Sequence, residues 1–138
     1  MKTKSVVSFF LLVIFSLLIF SCKTRQKNEN QAAETAVKFL KHLAKFEFDQ
    51  ARMYGTETTS KTIDMISMMY EMSKKNGKEA DFQPKDINVE VIKTAIDGKN
   101  AIVNYKNENG EIKQVELVKV NGKWLVNMKK ETPIKGNK

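Results

Sequence analysis

The chain has one cysteine, one histidine and one tryptophan in 138 residues, and the first two scarcities exclude whole classes of chemistry. Cys22 has no second cysteine to pair with, so no disulfide can close within the chain and packing alone must hold the fold. His42 stands beside Lys38, Lys41 and Lys45 at helical spacing, which places it on a solvated polar side. One histidine in that setting supports neither a Ser-His-Asp nucleophile system nor a metal site. No His/Cys/Asp/Glu cluster at ligand spacing occurs elsewhere. No paired carboxylates stand out for general acid–base work. The sequence therefore offers no catalytic residues, no metal ligands and no bound cofactor. Internal repeats are absent. So is a basic stripe with interleaved aromatics: the net charge is +8, but the lysines are scattered, which argues against a nucleic-acid partner.

The long uncharged run lies at the start. Met1-Lys2-Thr3-Lys4 carries two lysines, Val6 to Phe20 has no charge, and Ser21 precedes Cys22. A basic start, an apolar stretch and a small residue before a processing point make a bacterial export signal. Ile19-Phe20-Ser21-Cys22 resembles a lipobox, with Phe20 larger than the residue usual at its position. That resemblance implies cleavage before Cys22, a diacylglycerol on its thiol and an N-acyl chain on the freed amine. At ~0.8 kcal/mol per buried methylene, two or three such chains hold a protein to a bilayer firmly. An uncleaved anchor and plain secretion are the alternatives, although Val6–Phe20 is short of the ~20 residues that span a bilayer. All three place the domain outside the cytoplasm. The lipobox adds attachment to the inner or outer membrane, with the domain facing the periplasm.

Four segments follow. Residues 1–21 read as the signal peptide, 22–30 as a flexible tether, 31–130 as one α+β domain, and 131–138 as a disordered tail containing Pro133 and Gly136. Removing the signal takes Lys2 and Lys4 with it and leaves 22 basic against 16 acidic residues, a net +6. What remains is enough for one core. Lys23 to Asn30 contains no apolar residue, and a coil of that length spreads over roughly 15–18 Å. Its lysines and arginine would be drawn mildly to anionic headgroups.

Helical spacing begins at Gln31, with Ala33, Ala36, Val37, Leu40, Leu43 and Ala44 recurring at intervals of three and four and Phe39 beside them. Asp49 is placed to cap a short helix over 50–54 that stops at Gly55. The cluster Thr56, Thr58, Thr59 and Ser60 introduces a third helix over 61–75, halted by Asn76-Gly77. That helix is apolar nearly all round, through Ile63, Met65, Ile66, Met68, Met69, Tyr70 and Met72. Such a helix is buried on most sides or roofs a cavity. From Ile87 the period becomes two, giving strands over 87–96, 101–106, 111–120 and 123–128. Asp97-Gly98, Asn109-Gly110 and Asn121-Gly122 mark three hairpin turns. Helices first and a meander afterwards make an α+β domain with the helices on one face of a curved antiparallel sheet.

Two segments carry a family resemblance. Ala36-Val37-Lys38-Phe39-Leu40 through Phe46-Glu47-Phe48-Asp49-Gln50-Ala51 resembles the opening helix pair of the nuclear-transport-factor-2-like (cystatin-like cone) superfamily. Val115 to Val126, with its turn Asn121-Gly122-Lys123-Trp124, is similar to that fold's last hairpin. Within it the chain is most similar to small lipoproteins of the Bacteroidota. The resemblance implies a cone whose inward positions here are Val89, Val91, Val103, Tyr105, Val115, Leu117, Trp124 and Val126. The fold hosts enzymes, binders and adaptors, so it does not choose an activity.

The expectation is a non-enzymatic module whose partners are the membrane, through the anchor, and a small apolar ligand or a protein segment. Tyr54, Met65, Met69, Tyr70, Tyr105 and Trp124 are the candidate pocket lining. Core packing explains the same methionines and aromatics, and the thioethers could also serve as soft Cu(I) ligands. An isomerase- or dehydratase-type enzyme, which needs a buried acid or base facing a cavity, is the competing reading. A homodimer formed through the outer sheet face is a third.

Overall fold

The computed structural model describes residues 3–77 and 83–128, with side chains from Lys23 onward. The elements run α1 (Thr3–Ala44), α2 (Phe48–Arg52), α3 (Glu57–Lys75), β1 (Glu90–Asp97), β2 (Asn100–Lys106), β3 (Ile112–Val120) and β4 (Lys123–Val126). The strands form one antiparallel sheet in the order β1-β2-β3-β4, a meander, and the helices supply the other layer. The fold is the α+β arrangement expected.

The main difference lies in α1. The segment Lys23–Asn30, expected as a loose tether, continues the helix without a break into the domain. Its composition allows this: Lys, Arg, Gln and Glu are good helix formers, and Arg25 pairs with Glu29 one turn on, 3.1 Å apart. Tertiary contact adds to it, because Asn28 Oδ1 accepts a 2.7 Å hydrogen bond from Lys119 Nζ on β3. Cys22 falls within the part of α1 whose backbone alone is described. The expected tail over 131–138 lies outside the described residues.

Alternation sets the sheet faces. Ala101, Val103, Leu117, Trp124 and Val126 turn inward and are buried, while Val91 and Val115 pack against them half-buried. Ala32, Ala36 and Phe39 of α1 cover that face; the two alanines let the helix come close, and Phe39 fills the space beside them. Of the inward positions read from the sequence, Val91, Val103, Val115, Leu117, Trp124 and Val126 join the core, whereas Tyr105 is half-buried outside that cluster and Val89 precedes β1. Phe39 belongs at the centre of the helix stripe, and Ala32, which the sequence pattern did not select, is fully buried.

The turns at both ends of β3 follow their chemistry. Asn121 and Gly122 both have positive φ (49° and 81°), the two-residue geometry that Asn-Gly favours, and they join Val120 directly to Lys123. The β2–β3 connection is longer than Asn109-Gly110 alone. It spans 107–111, and the Asn107 side-chain oxygen accepts from the backbone N–H groups of Asn109 and Glu111.

At the far end of α1 the chain closes with a Schellman arrangement. Glu47 N–H reaches His42 O at 2.9 Å and Phe46 N–H reaches Leu43 O at 3.1 Å. The left-handed position, usually glycine, is Phe46 (φ 59°), whose ring stacks on Tyr70 with centroids 4.6 Å apart. Asp49 is not the cap of α2. Glu47 occupies that position, its side chain making no capping hydrogen bond, and Asp49 pairs with Arg52. Arg52 also reaches Asp64 of α3, at 2.6 and 2.9 Å.

Helix α3 begins four residues earlier than its expected start, because Thr56 caps it by accepting from Thr59 N–H. Its buried stripe is Thr59, Ile63 and Ser73, with Ile66 and Tyr70 half-buried on the same side. The methionines face the other way: Met65, Met68, Met69 and Met72 are 57–65% exposed. The Met-rich helix therefore roofs no cone. Its orientation is fixed by Thr59, whose hydroxyl donates to Val126 O at 2.7 Å and accepts from Met128 N–H at 2.9 Å.

Candidate functional site

A cleft of about 390 Å³ opens between α1, the α2–α3 connection and β4. Three elements position its walls. Helix α1 presents Gln31, Glu34, Thr35 and Lys38 on the side next to its buried stripe. The segment after α2 brings Met53 and Tyr54, and it is held to the sheet edge like a short extra strand. Val126 N–H donates to Tyr54 O at 2.8 Å and Thr56 N–H donates to Val126 O at 2.9 Å. Gly55 sits between them, where a Cβ would come within 2.7 Å of Thr59 Cγ2, so the close approach needs glycine. The β3–β4 turn and β4 complete the cleft with Gly122, Lys123, Trp124 and Leu125.

The lining is mixed. Met53, Tyr54, Trp124 and Leu125 give an apolar, aromatic wall, and Glu34, Lys38 and Lys123 place both signs of charge beside it. Lys38 and Glu34 pair at 2.6 Å; the hydrogen bond and the charge of Glu34 raise the pKa of Lys38, so it stays cationic. Trp124 is 95% buried, and its indole Nε1 has no hydrogen-bond partner among the described residues. An unpaired buried donor costs ~1–3 kcal/mol, an unusual expense in a core otherwise built of satisfied groups. The Lys119 ammonium lies 5.3 Å from the Trp124 ring centroid, on the same residue that holds Asn28.

Behind Tyr54 stands a second layer that the sequence did not foretell. His42 is not a solvated histidine among lysines. Its ring stacks on Tyr54, centroids 5.7 Å apart and 9° from parallel, and its Nδ1 is hydrogen-bonded to Glu47. The turn at Phe46 folds Glu47 back onto His42, so a contact five residues apart replaces the helical-face position that spacing suggested.

Of the candidate lining residues, the structure brings Tyr54 and Trp124 together in this cleft. It separates the others. Met65 and Met69 lie on the outer side of α3. Tyr70 stacks on Phe46 and meets Phe48 edge-on, and Lys74 Nζ sits 5.0 Å from its ring centroid. Tyr105 is on β2 opposite Lys113, where burial raises its pKa and the Lys113 charge partly offsets that. A single apolar cone lined by all six is thus corrected to an open amphipathic cleft holding two of them. The cause is α1, which covers the sheet face where the cone's interior would have been. Glu34, Lys38 and Leu125 were missed because nothing in the sequence shows that α1 and β4 are neighbours. Among the described residues, no group of three or more His, Cys, Asp or Glu is placed to hold a metal.

No protein-family model matches the chain, and no curated protein matches it. Among solved structures the chain is similar to a Campylobacter jejuni protein, determined at 2.00 Å and provisionally described as an NTF2-like transpeptidase. The two are 24% identical with a TM-score of 0.43, over 70% of this chain and 97% of that one. At that level the likeness carries no chemistry over to this chain.

Proposed function

We propose that this protein is a lipid-anchored envelope module that binds rather than catalyses, with the α1/β4 cleft as its binding site. The observation that carries the reading is the cleft's composition. An aromatic and apolar wall of Tyr54, Trp124, Met53 and Leu125 lies beside a charged edge of Glu34, Lys38 and Lys123. Its volume falls in the range of small-ligand sites, ~300–1,000 Å³. Such a wall fits a short amphipathic ligand, either a small molecule with an apolar body and a polar end or the side chains of an extended peptide. The envelope part rests on the lipobox at Cys22, which implies acyl chains on that residue and a domain facing the periplasm.

Trp124 is the chain's one tryptophan and lines the cleft, so its emission reports occupancy directly. Titration of amphipathic small molecules and short peptides is expected to shift that emission saturably, and Tyr54→Ala is expected to weaken binding at least tenfold, ~1.4 kcal/mol. Ligands that bind with the Trp124 spectrum unchanged and Tyr54→Ala without effect would place the site elsewhere.

A further inference from the structure

The helix that replaces the expected tether gives the molecule a direction. α1 lies along the strands, so its N-terminal part meets the ends of both outer hairpins: Thr24, Arg25 and Asn28 border a hollow with Ile96, and Asn28 is bonded to Lys119. Thr24 is two residues past Cys22, about 3 Å along a helix axis. The helical backbone therefore leaves no slack between Cys22 and the domain.

That same end is basic. Lys23, Arg25 and Lys27 are exposed on α1, and Lys99 and Lys123 are exposed on the two hairpin turns beside it. The turns are neighbours, since Lys119 N–H donates to Lys99 O at 2.7 Å. Glu29, which holds Arg25, and Asp97 are the acids close by. At the opposite end of the sheet Lys45 pairs with Asp86 and Lys113 with Glu111.

We propose that this basic end is a headgroup-binding face that seats the domain on the anionic phospholipids of the bilayer holding Cys22, with the Asn107–Glu111 loop pointing away. The proposal rests on the anchor reading above. Attraction to anionic headgroups fades within a Debye length, ~8 Å at physiological salt, so only cations held close to the acyl group take part. A loose tether would let them wander beyond that range; a helix packed on the sheet does not. The cleft reaches this same end through Gly122 and Lys123 and extends from there along the flank of α1 as far as Lys38.

The test uses the full chain, processed and acylated in cells, then reconstituted into vesicles of phosphatidylethanolamine and phosphatidylglycerol. With the thiol of Cys22 acylated, a cysteine introduced by Asn100→Cys or by Glu108→Cys is the sole site for a fluorophore; both positions are exposed, at opposite ends of β2. A nitroxide carried on the lipid headgroup should quench the label at residue 100 severalfold more than the label at 108. The contrast should shrink in phosphatidylcholine vesicles, and in the Lys27→Glu, Lys99→Glu double variant. Intact-mass analysis of the same samples separates the two readings. Acylated protein quenched equally at both positions overturns the seating alone, and protein without acyl chains overturns the anchor and the seating together.

Discussion

Thr59 is the residue on which the arrangement of helices and sheet turns. Its hydroxyl is fully buried, donates to Val126 O and accepts from Met128 N–H, and its methyl meets Gly55. Thr59→Val keeps the shape but leaves the Met128 N–H unpaired and Val126 O with only its bond from Thr56 N–H, which should cost about 1–3 kcal/mol. Urea unfolding is expected to show a lower midpoint with an unchanged slope, and Thr59→Ser should recover most of the loss. An unchanged midpoint in Thr59→Val would mean that these hydrogen bonds do not set the position of α3. None of this was legible in the sequence, where Thr59 sits in a hydroxyl cluster suited to opening a helix. Its partners are 67 and 69 residues away. His42 misled for the same reason: its neighbours along the helix are lysines, while its contacts in space are Tyr54 and Glu47.

The strands were the most legible elements. Alternation and three Gly-containing turns fixed their number, order and inward faces, because each hairpin is a local structure whose register follows from its turn. The helices were less so. In α3 the apolar residues run all round, and a small buried stripe containing Thr59, Ile63 and Ser73 won over four methionines. Hydrophobic pattern cannot choose a side when every side is apolar. In α1 the polar stretch Lys23–Asn30 looked like coil because it buries nothing large; its helical state rests on helix-forming side chains, the Arg25–Glu29 pair and the Asn28–Lys119 contact. Amide hydrogen exchange checks this. Backbone N–H groups of Lys27 to Asn30 should exchange at least tenfold slower than free coil, and Asn28→Pro should release them, since proline removes an N–H and clashes with the preceding turn. Coil-like exchange in the unaltered chain would restore the loose tether.

At the scale of the whole molecule, one end is basic and leads to Cys22, the cleft runs along the flank, and the methionine-bearing side of α3 faces outward. The envelope proposal is read from residues 1–22 alone. The cleft was not legible in the sequence, since it is made by elements distant along the chain. Both the binding reading and the seating on headgroups assume that the mature protein begins at an acylated cysteine. Intact-mass spectrometry of the chain extracted from cell membranes measures this directly. The account predicts a protein starting at Cys22 and heavier than its amino-acid sequence by a diacylglycerol with or without a further acyl chain, and predicts that Cys22→Ser abolishes both the cut and the added mass. A chain that still begins at Met1, or one cut elsewhere and carrying no lipid, would contradict it.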